Sequence, residues 1–452
     1  MPEERASFGS KIGIIMATAG SAVGLGNIWR FPYMTGENGG AAFILIYIAC
    51  VIILGIPCMI SEFIIGRHGA SNTARAYTRL SNGTAWKLVG YLEVLTGFLI
   101  TGYYAVISGW CLNYVYASVM GQLNGDPAFV KHYFIEFSQD PIRPVFWTIL
   151  IFAITHFIII HGVRNGIEKA SKLMMPTLFV LLLVIVVASC MLPGASKGID
   201  FLLKPDFSKV NSDVFLGALG QCFYSLSIGM GCLCTYASYF SRHTNITTSA
   251  IQIGLIDLMV AILAGLMIFP AAFSVGISPD SGPSLIFITL PNVFNQAFSS
   301  VPIIGWFVSL IFYFLLFLAA LTSLISLHEV NTAFFYEELH ISRKSGAWIV
   351  TIFCCIIGAL CSISVGQKHT MSLFGLNLLD LFDFVTGQLM LPVVGMFMSL
   401  FVGWYIPKQI VIDELSNWGT LKCGFYNLFI FAMRFVCPLC ILAIMLHQFG
   451  VI

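Results

Sequence analysis

The stretch Ala19-Gly20-Ser21-Ala22-Val23-Gly24-Leu25-Gly26-Asn27-Ile28-Trp29-Arg30-Phe31-Pro32 lies inside the first apolar run of the chain. It nevertheless carries glycines, an amide, a guanidinium and a proline. Glycine and proline weaken a helix. Hydrocarbon offers no partner for the backbone groups they leave free, so such a break persists only where protein buries it or it lines a wet cavity. The chain is expected to fold around a first helix interrupted so that its backbone can bind something.

That reading needs a membrane. Hydrophobic residues make up 58% of the 452 and charged residues 10%, which is the composition of a polytopic membrane protein rather than of several soluble domains. A formal charge of +1 gives nucleic acid no electrostatic footing. The start, Met1-Pro2-Glu3-Glu4-Arg5, runs into the first span without an A-x-A-like site, so no cleaved leader is expected. Most cysteines, Cys50, Cys58, Cys111, Cys190, Cys222 and Cys354 among them, lie in apolar runs, as do Cys437 and Cys440. They read as small buried residues. There is no phosphate loop, His/Cys metal cluster or nucleophile motif to suggest an enzyme. The histidines, such as His68, His161, His243 and His369, fall mostly in loops or at span ends, where a solvated role is expected.

Eleven runs are long enough to cross a bilayer. They lie near 10–36, 40–66, 88–120, 144–162, 168–193, 212–241, 248–277, 303–338, 345–365, 375–405 and 425–449. Short loops on one side hold Arg67, Arg75, Arg79, Lys87, Arg164, Lys169, Lys172, Arg242, Arg343, Lys344 and Lys408. The opposite loops at 278–300 and 366–375 hold only Lys368. The positive-inside rule puts the N-terminus in the cytoplasm, and an odd span count puts the C-terminus outside. The expected location is the plasma membrane, the inner membrane of a bacterium.

Span six is broken too. It reads Gly217-Ala218-Leu219-Gly220-Gln221-Cys222-Phe223-Tyr224-Ser225-Leu226-Ser227-Ile228-Gly229-Met230-Gly231. Spans one and six each open a set of five if one transporter domain, 1–452, holds repeats 10–193 and 212–405 with an additional helix at 425–449. Interrupted helices at matching places in two halves point to a transporter site between them. Small residues placed for close helix packing are the other reading.

These features resemble the neurotransmitter:sodium symporter family. The resemblance rests on Gly20-Ser21-Ala22-Val23-Gly24-Leu25-Gly26-Asn27, Trp29-Arg30-Phe31-Pro32 and Glu37-Asn38-Gly39-Gly40. It continues through Gly55-Ile56-Pro57, Glu62, Tyr103-Tyr104, Gly220-Gln221, Thr235-Tyr236-Ala237-Ser238-Tyr239, Phe287-Ile288-Thr289-Leu290-Pro291 and Leu321-Thr322-Ser323. It implies an all-α membrane protein of 11 transmembrane helices with a LeuT-type 5+5 inverted repeat and unwound helices 1 and 6. It implies a sodium-coupled symporter that imports an α-amino acid by alternating access.

The resemblance assigns one sodium ion to Ala22, Asn27, Ser225 and Asp257, and a second to Gly20, Val23, Ala319, Thr322 and Ser323. Taken alone, Thr322 and Ser323 could equally bond back to their own helix. Asp257 departs from the more common Asn. An acid there supplies the negative charge that other members take from chloride, so no chloride requirement is expected. Gly24 replaces the Asp with which amine transporters of this family meet an ammonium, so the substrate should bring its own carboxylate. The substrate residues are Ser21, Ala22, Gly24, Leu25, Gly26, Ile100, Tyr104, Tyr224, Ser225, Ser227, Met230, Ser323 and Leu327. Small Ser21 and flexible Met230 make room for a large apolar or aromatic side chain such as leucine or tryptophan.

Two gates are implied. Arg30 and Asp383, with Gln221 and Tyr104 nearby, would close the outer side, and Arg5 and Glu337, with Tyr239, the inner side. Arg5 could also be plain surface charge. Glu62 is expected to bond the unwound backbones of both broken spans. Gly166 and Pro176 either let span five unwind or mark an ordinary helix start. Segment 278–298, with Pro279, Gly282, Pro283 and Pro291, is the expected outer lid. The partners are then an amino acid, sodium and the lipid bilayer, with no nucleic acid. A same-fold transporter without strict sodium coupling and a non-transporting amino-acid sensor remain the alternatives.

Overall fold

The first span starts where the Ser10 side chain accepts a hydrogen bond from the Gly13 amide and caps Lys11–Ala22. The helix stops at Val23, whose backbone is extended. The chain resumes as one wide helical turn, Gly26–Arg30, followed by Phe31–Glu37, and the two halves are bent by 52°. Pro32 follows the wide turn directly, so a carbonyl of that turn goes without the donor that Pro32 lacks. The chain is described here from a computed structural model over residues 6–276, 285–366, 371–422 and 424–450.

The sixth span is broken more deeply. Asn211 caps Ser212–Ser225, and a second short helix, Cys232–Ala237, follows. Between them Ser227, Gly229 and Gly231 take φ of +55°, +81° and +73°. Glycine adopts that left-handed conformation freely and serine does so at a cost. The Ser227 hydroxyl helps hold it there by donating to the Ser21 carbonyl at 3.0 Å, which ties one break to the other.

Among the described residues nine helices are long and apolar enough to cross a membrane, ten with the bent first span. The sixth of the expected runs is present as two pieces, each too short to cross alone, so the expected count of eleven is not reproduced by length. The third and eighth spans, Lys87–Val119 and Pro302–Glu338, are 83% buried over their apolar stretch, against 39% for the fourth, ninth and eleventh. They therefore form the inner scaffold, and the less buried helices form the periphery. Bare glycines let the sixth break sit close to its neighbours. A β-carbon on Gly97 would come within 2.9 Å of the Met230 carbonyl oxygen, and one on Gly66 would strike that of Cys234.

The fifth span is not unwound at its start. Val163–Glu168 runs directly into Lys169–Cys190, with Pro176 inside the helix. Gly166 is needed for packing, because a β-carbon there would collide with the Ile158 carbonyl. Of the expected outer lid, residues 278–284, including Pro279, Gly282 and Pro283, lie outside the described residues. Pro291 belongs to a short helix, Thr289–Ala297.

Candidate functional site

The two breaks meet around a buried polar cluster. Asn27, just past the first break, donates from Nδ2 to Asp257 Oδ1 at 2.7 Å, to the Asp257 carbonyl at 3.1 Å and to Ser225 Oγ at 3.1 Å. Ser225, the last residue before the second break, donates to both Asp257 oxygens at 3.0 and 3.2 Å. The Asn27 Oδ1 accepts from the Gly24 amide at 3.0 Å. Asn27 and Asp257 are fully buried. Ala22 ends the first half-helix alongside them. The sequence reading missed Tyr47, whose hydroxyl donates to Asp257 Oδ2 at 3.1 Å. Nothing in the apolar run around Tyr47 marks it. The cluster is an acid ringed by an amide and hydroxyls, the oxygen-rich chemistry that suits a hard cation.

A second group joins the first break to the eighth span. Thr322 Oγ1 lies 3.5 Å from the Val23 carbonyl, but its shorter bonds, 3.0 and 3.1 Å, go back to Ala319 and Leu318 of its own helix. A β-carbon on Gly20 would lie 3.4 Å from the Thr322 side chain. Ser323 Oγ lies 3.5 Å from the Ser21 carbonyl. Gly20, Val23, Ala319, Thr322 and Ser323 are thus brought together.

Between the two groups is a narrow chamber of about 30 Å³. All of the expected substrate residues line it, and Cys232 lines it too. The Leu25 amide points at the Tyr104 hydroxyl, 3.5 Å away. A β-carbon on Gly24 would strike Ser323 Oγ and come within 3.3 Å of the Tyr104 hydroxyl. A side chain at that position would have to displace the Ser323 hydroxyl.

Glu62 accepts from the amides of Gly229, at 2.7 Å, and Cys234, at 3.1 Å. Both lie at the sixth break. The expected bond to the first span is not made among the described residues; there the Asn27 side chain caps the Gly24 amide.

Above the chamber opens a vestibule of about 710 Å³, lined by Leu25, Tyr104, Phe223, Tyr224, Arg30 and Asp383 among others. Arg30 and Asp383 do not form an ion pair. The Arg30 guanidinium lies 4.6 Å over the Tyr224 ring, and Asp383 accepts from the Tyr103 hydroxyl at 3.1 Å. Gln221 donates to the Gly26 carbonyl at 3.0 Å, and its other side-chain atom, Oε1, is buried without a partner among the described residues.

On the opposite side a network of charged, polar and aromatic groups joins the helices. The Tyr239 hydroxyl donates to Glu329 at 2.7 Å, and Arg343 pairs with the same carboxylate. Glu337 accepts from the amide and side chain of Asn72 at 2.8 and 3.0 Å. Phe8 packs edge-on against Tyr236 and Tyr239. Glu168 holds the N-terminal segment through the Gly9 amide at 2.6 Å and Ser10 Oγ at 2.9 Å. Arg5, expected here, lies outside the described residues. Glu168 and Glu329 were missed, although an acid within or at the end of an apolar run is itself a signal of function. Of the histidines named from the sequence, His68, His161 and His243 are exposed and His369 lies outside the described residues, whereas His328, not named there, is fully buried and bonds to Thr332 and Thr351.

The model of the sodium:neurotransmitter symporter family matches residues 5–136 and 128–451. The chain is 37% identical to the uncharacterized sodium-dependent transporter YhdH of Bacillus subtilis over 447 residues, covering 98% of each chain. It is 34% identical over 459 residues to an uncharacterized sodium-dependent transporter of Haemophilus influenzae, covering 99% of this chain and 98% of the other. Among solved structures it is similar to MhsT in complex with L-phenylalanine, with a TM-score of 0.89, 39% identity, and coverage of 98% of this chain and 100% of that one.

Proposed function

The chain belongs to the sodium:neurotransmitter symporter family of sodium-dependent transporters, and from that premise we propose that it carries an α-amino acid inward together with two sodium ions. The observation that carries this reading is the junction of the two breaks: Asn27 and Ser225 bonded to Asp257 directly beside the chamber. One sodium sits with Ala22, Asn27, Ser225 and Asp257, the other with Gly20, Val23, Ala319, Thr322 and Ser323. The substrate carboxylate meets the first ion, the Leu25 and Gly26 amides and the Tyr104 hydroxyl. Its ammonium meets carbonyls at Ala22 and Ser225 and the Ser227 hydroxyl. The side chain lies among Ile100, Met230 and Leu327, and we assign it as large and apolar or aromatic, as is the phenylalanine bound to MhsT. The chamber is too narrow for that as it stands. Met230, unbranched and set between Gly229 and Gly231, is the group that yields.

With Lys and Arg on the inner side, the vestibule faces out. Arg30 and Asp383 then stand apart in an outward-open arrangement, and substrate binding lets them close over it. A charge crossing 100 mV yields about 2.3 kcal/mol, and a tenfold gradient adds about 1.4 kcal/mol. Two ions therefore supply roughly 7 kcal/mol, enough to concentrate a zwitterion on the order of 10⁵-fold at the limit. One ion gives the square root of that ratio. Gly166 and Pro176 keep the inner end of span five closed in this arrangement. The protein sits in the plasma membrane, with residues 10–193 and 212–405 as its two repeats.

Glu329 ties the inner side together. Breaking a buried pair costs about 3–5 kcal/mol, and the Arg343 partner is 21% exposed, so a smaller effect is expected. Glu329→Gln should shift the outward-to-inward ratio about tenfold and weaken apparent substrate affinity to match. Distance measurements across the inner face, alongside equilibrium binding, read both; unchanged distances would remove Glu329 from the gate.

The substrate reading is tested by competition with the twenty amino acids against sodium-dependent binding. Block by leucine and aromatic amino acids is expected. Selective block by glycine or acidic amino acids would contradict it.

A further inference from the structure

One atom of the chamber has no part in the contacts proposed for the carboxylate and ammonium. Ser21 is 3% exposed, and among the described residues its hydroxyl has no hydrogen-bond partner beyond a weak contact with sulfur. Its polar neighbour is the Cys232 thiol, a weak donor. The Ser21 carbonyl is separately engaged, accepting from Ser227 at 3.0 Å. A buried hydroxyl left unpaired is destabilising, and burying it further beneath an apolar ligand does not relieve it. The same chamber carries two sulfurs, Met230 and Cys232, and sulfur makes favourable contacts with the edge of an aromatic ring. The rest of the wall around the side chain, Ile100 and Leu327, is aliphatic.

Resting on the amino-acid reading above, we infer that the substrate side chain is an aromatic ring bearing a hydrogen-bonding atom, an indole N–H or a phenolic O–H, and that the Ser21 hydroxyl pairs with it. The hydroxyl favours a polar tip and the sulfurs favour a ring, so two separate observations converge. A site built to pair with such a group discriminates against the analogue that lacks it far more strongly than an apolar pocket does. Tryptophan and tyrosine should therefore be preferred to phenylalanine and leucine.

The test is sodium-dependent binding of labelled tryptophan to the full chain in detergent, displaced by tryptophan, tyrosine, phenylalanine and N1-methyltryptophan. Tryptophan and tyrosine should bind at least roughly tenfold more tightly than the other two. Ser21→Ala should close that gap by lowering tryptophan and tyrosine affinity more than phenylalanine affinity, while Ser21→Thr should retain the gap. No gap in the unaltered protein, or an equal loss for all four ligands in Ser21→Ala, would overturn the inference and leave the aromatic reading standing. If none of the four competes with another amino acid that binds, the aromatic reading falls and takes the inference with it.

Discussion

Replacing Asp257 with alanine should abolish sodium-driven uptake and weaken sodium binding by at least about 100-fold. The carboxylate is fully buried and accepts bonds from Asn27, Ser225 and Tyr47, all uncharged. With no basic residue among those partners, the sodium proposed here is what would balance its charge. Removing one member of a buried charge pair costs about 3–5 kcal/mol, and each 1.4 kcal/mol is about tenfold. Asp257→Asn separates charge from shape, because it keeps the side chain's size and part of its bonding. If the acid stands in for chloride, the asparagine variant recovers uptake only when chloride is present. The unaltered protein should transport equally well when gluconate replaces chloride. Substrate binding titrated against sodium, in chloride and in gluconate, reads all three proteins. Equal sodium affinity in the alanine variant would remove Asp257 from the ion site. A monodisperse elution profile guards against simple misfolding.

Glu62→Ala has the second-largest expected effect, and it acts on the backbone. The amides of Gly229 and Cys234 lose their acceptor where water does not reach. A buried donor left unpaired costs about 1–3 kcal/mol, so the variant should lose roughly 2–6 kcal/mol and show both a clearly lower melting temperature and no binding. Glu62→Gln keeps one acceptor oxygen but turns an NH2 toward the other amide, so it should fall between the two. Thermal unfolding in detergent alongside substrate binding measures this. If the alanine variant melts like the parent and binds normally, the sixth break does not depend on Glu62.

What was legible in the sequence followed from chemistry that hydrocarbon forbids. Glycines, an amide and hydroxyls inside apolar runs marked both breaks, and Asp257 and Glu62 stood out as acids where lipid would exclude them. What stayed hidden lay in distant pairing. Tyr47 looks like any aromatic in a span until it meets Asp257, which lies 210 positions further along the chain. Cys232 falls just past the second break, and only the fold turns it into the chamber. The Gly166–Pro176 spacing was compatible with an unwound or a helical start, and the Ile158 carbonyl that a β-carbon on Gly166 would strike cannot be read from spacing. The expected Arg30–Asp383 pair is not made, because Arg30 lies over the Tyr224 ring and Asp383 accepts from Tyr103, neither of which spacing along the chain reveals.

The central claim is that sodium and an amino acid are coupled where the two broken helices meet. The most direct measurement is accumulation of labelled tryptophan in proteoliposomes under an inward sodium gradient and an inside-negative potential. The account predicts accumulation well above equilibrium that collapses when either gradient is dissipated. Equal uptake from sodium-free buffer, or saturable binding with no accumulation at all, would contradict it.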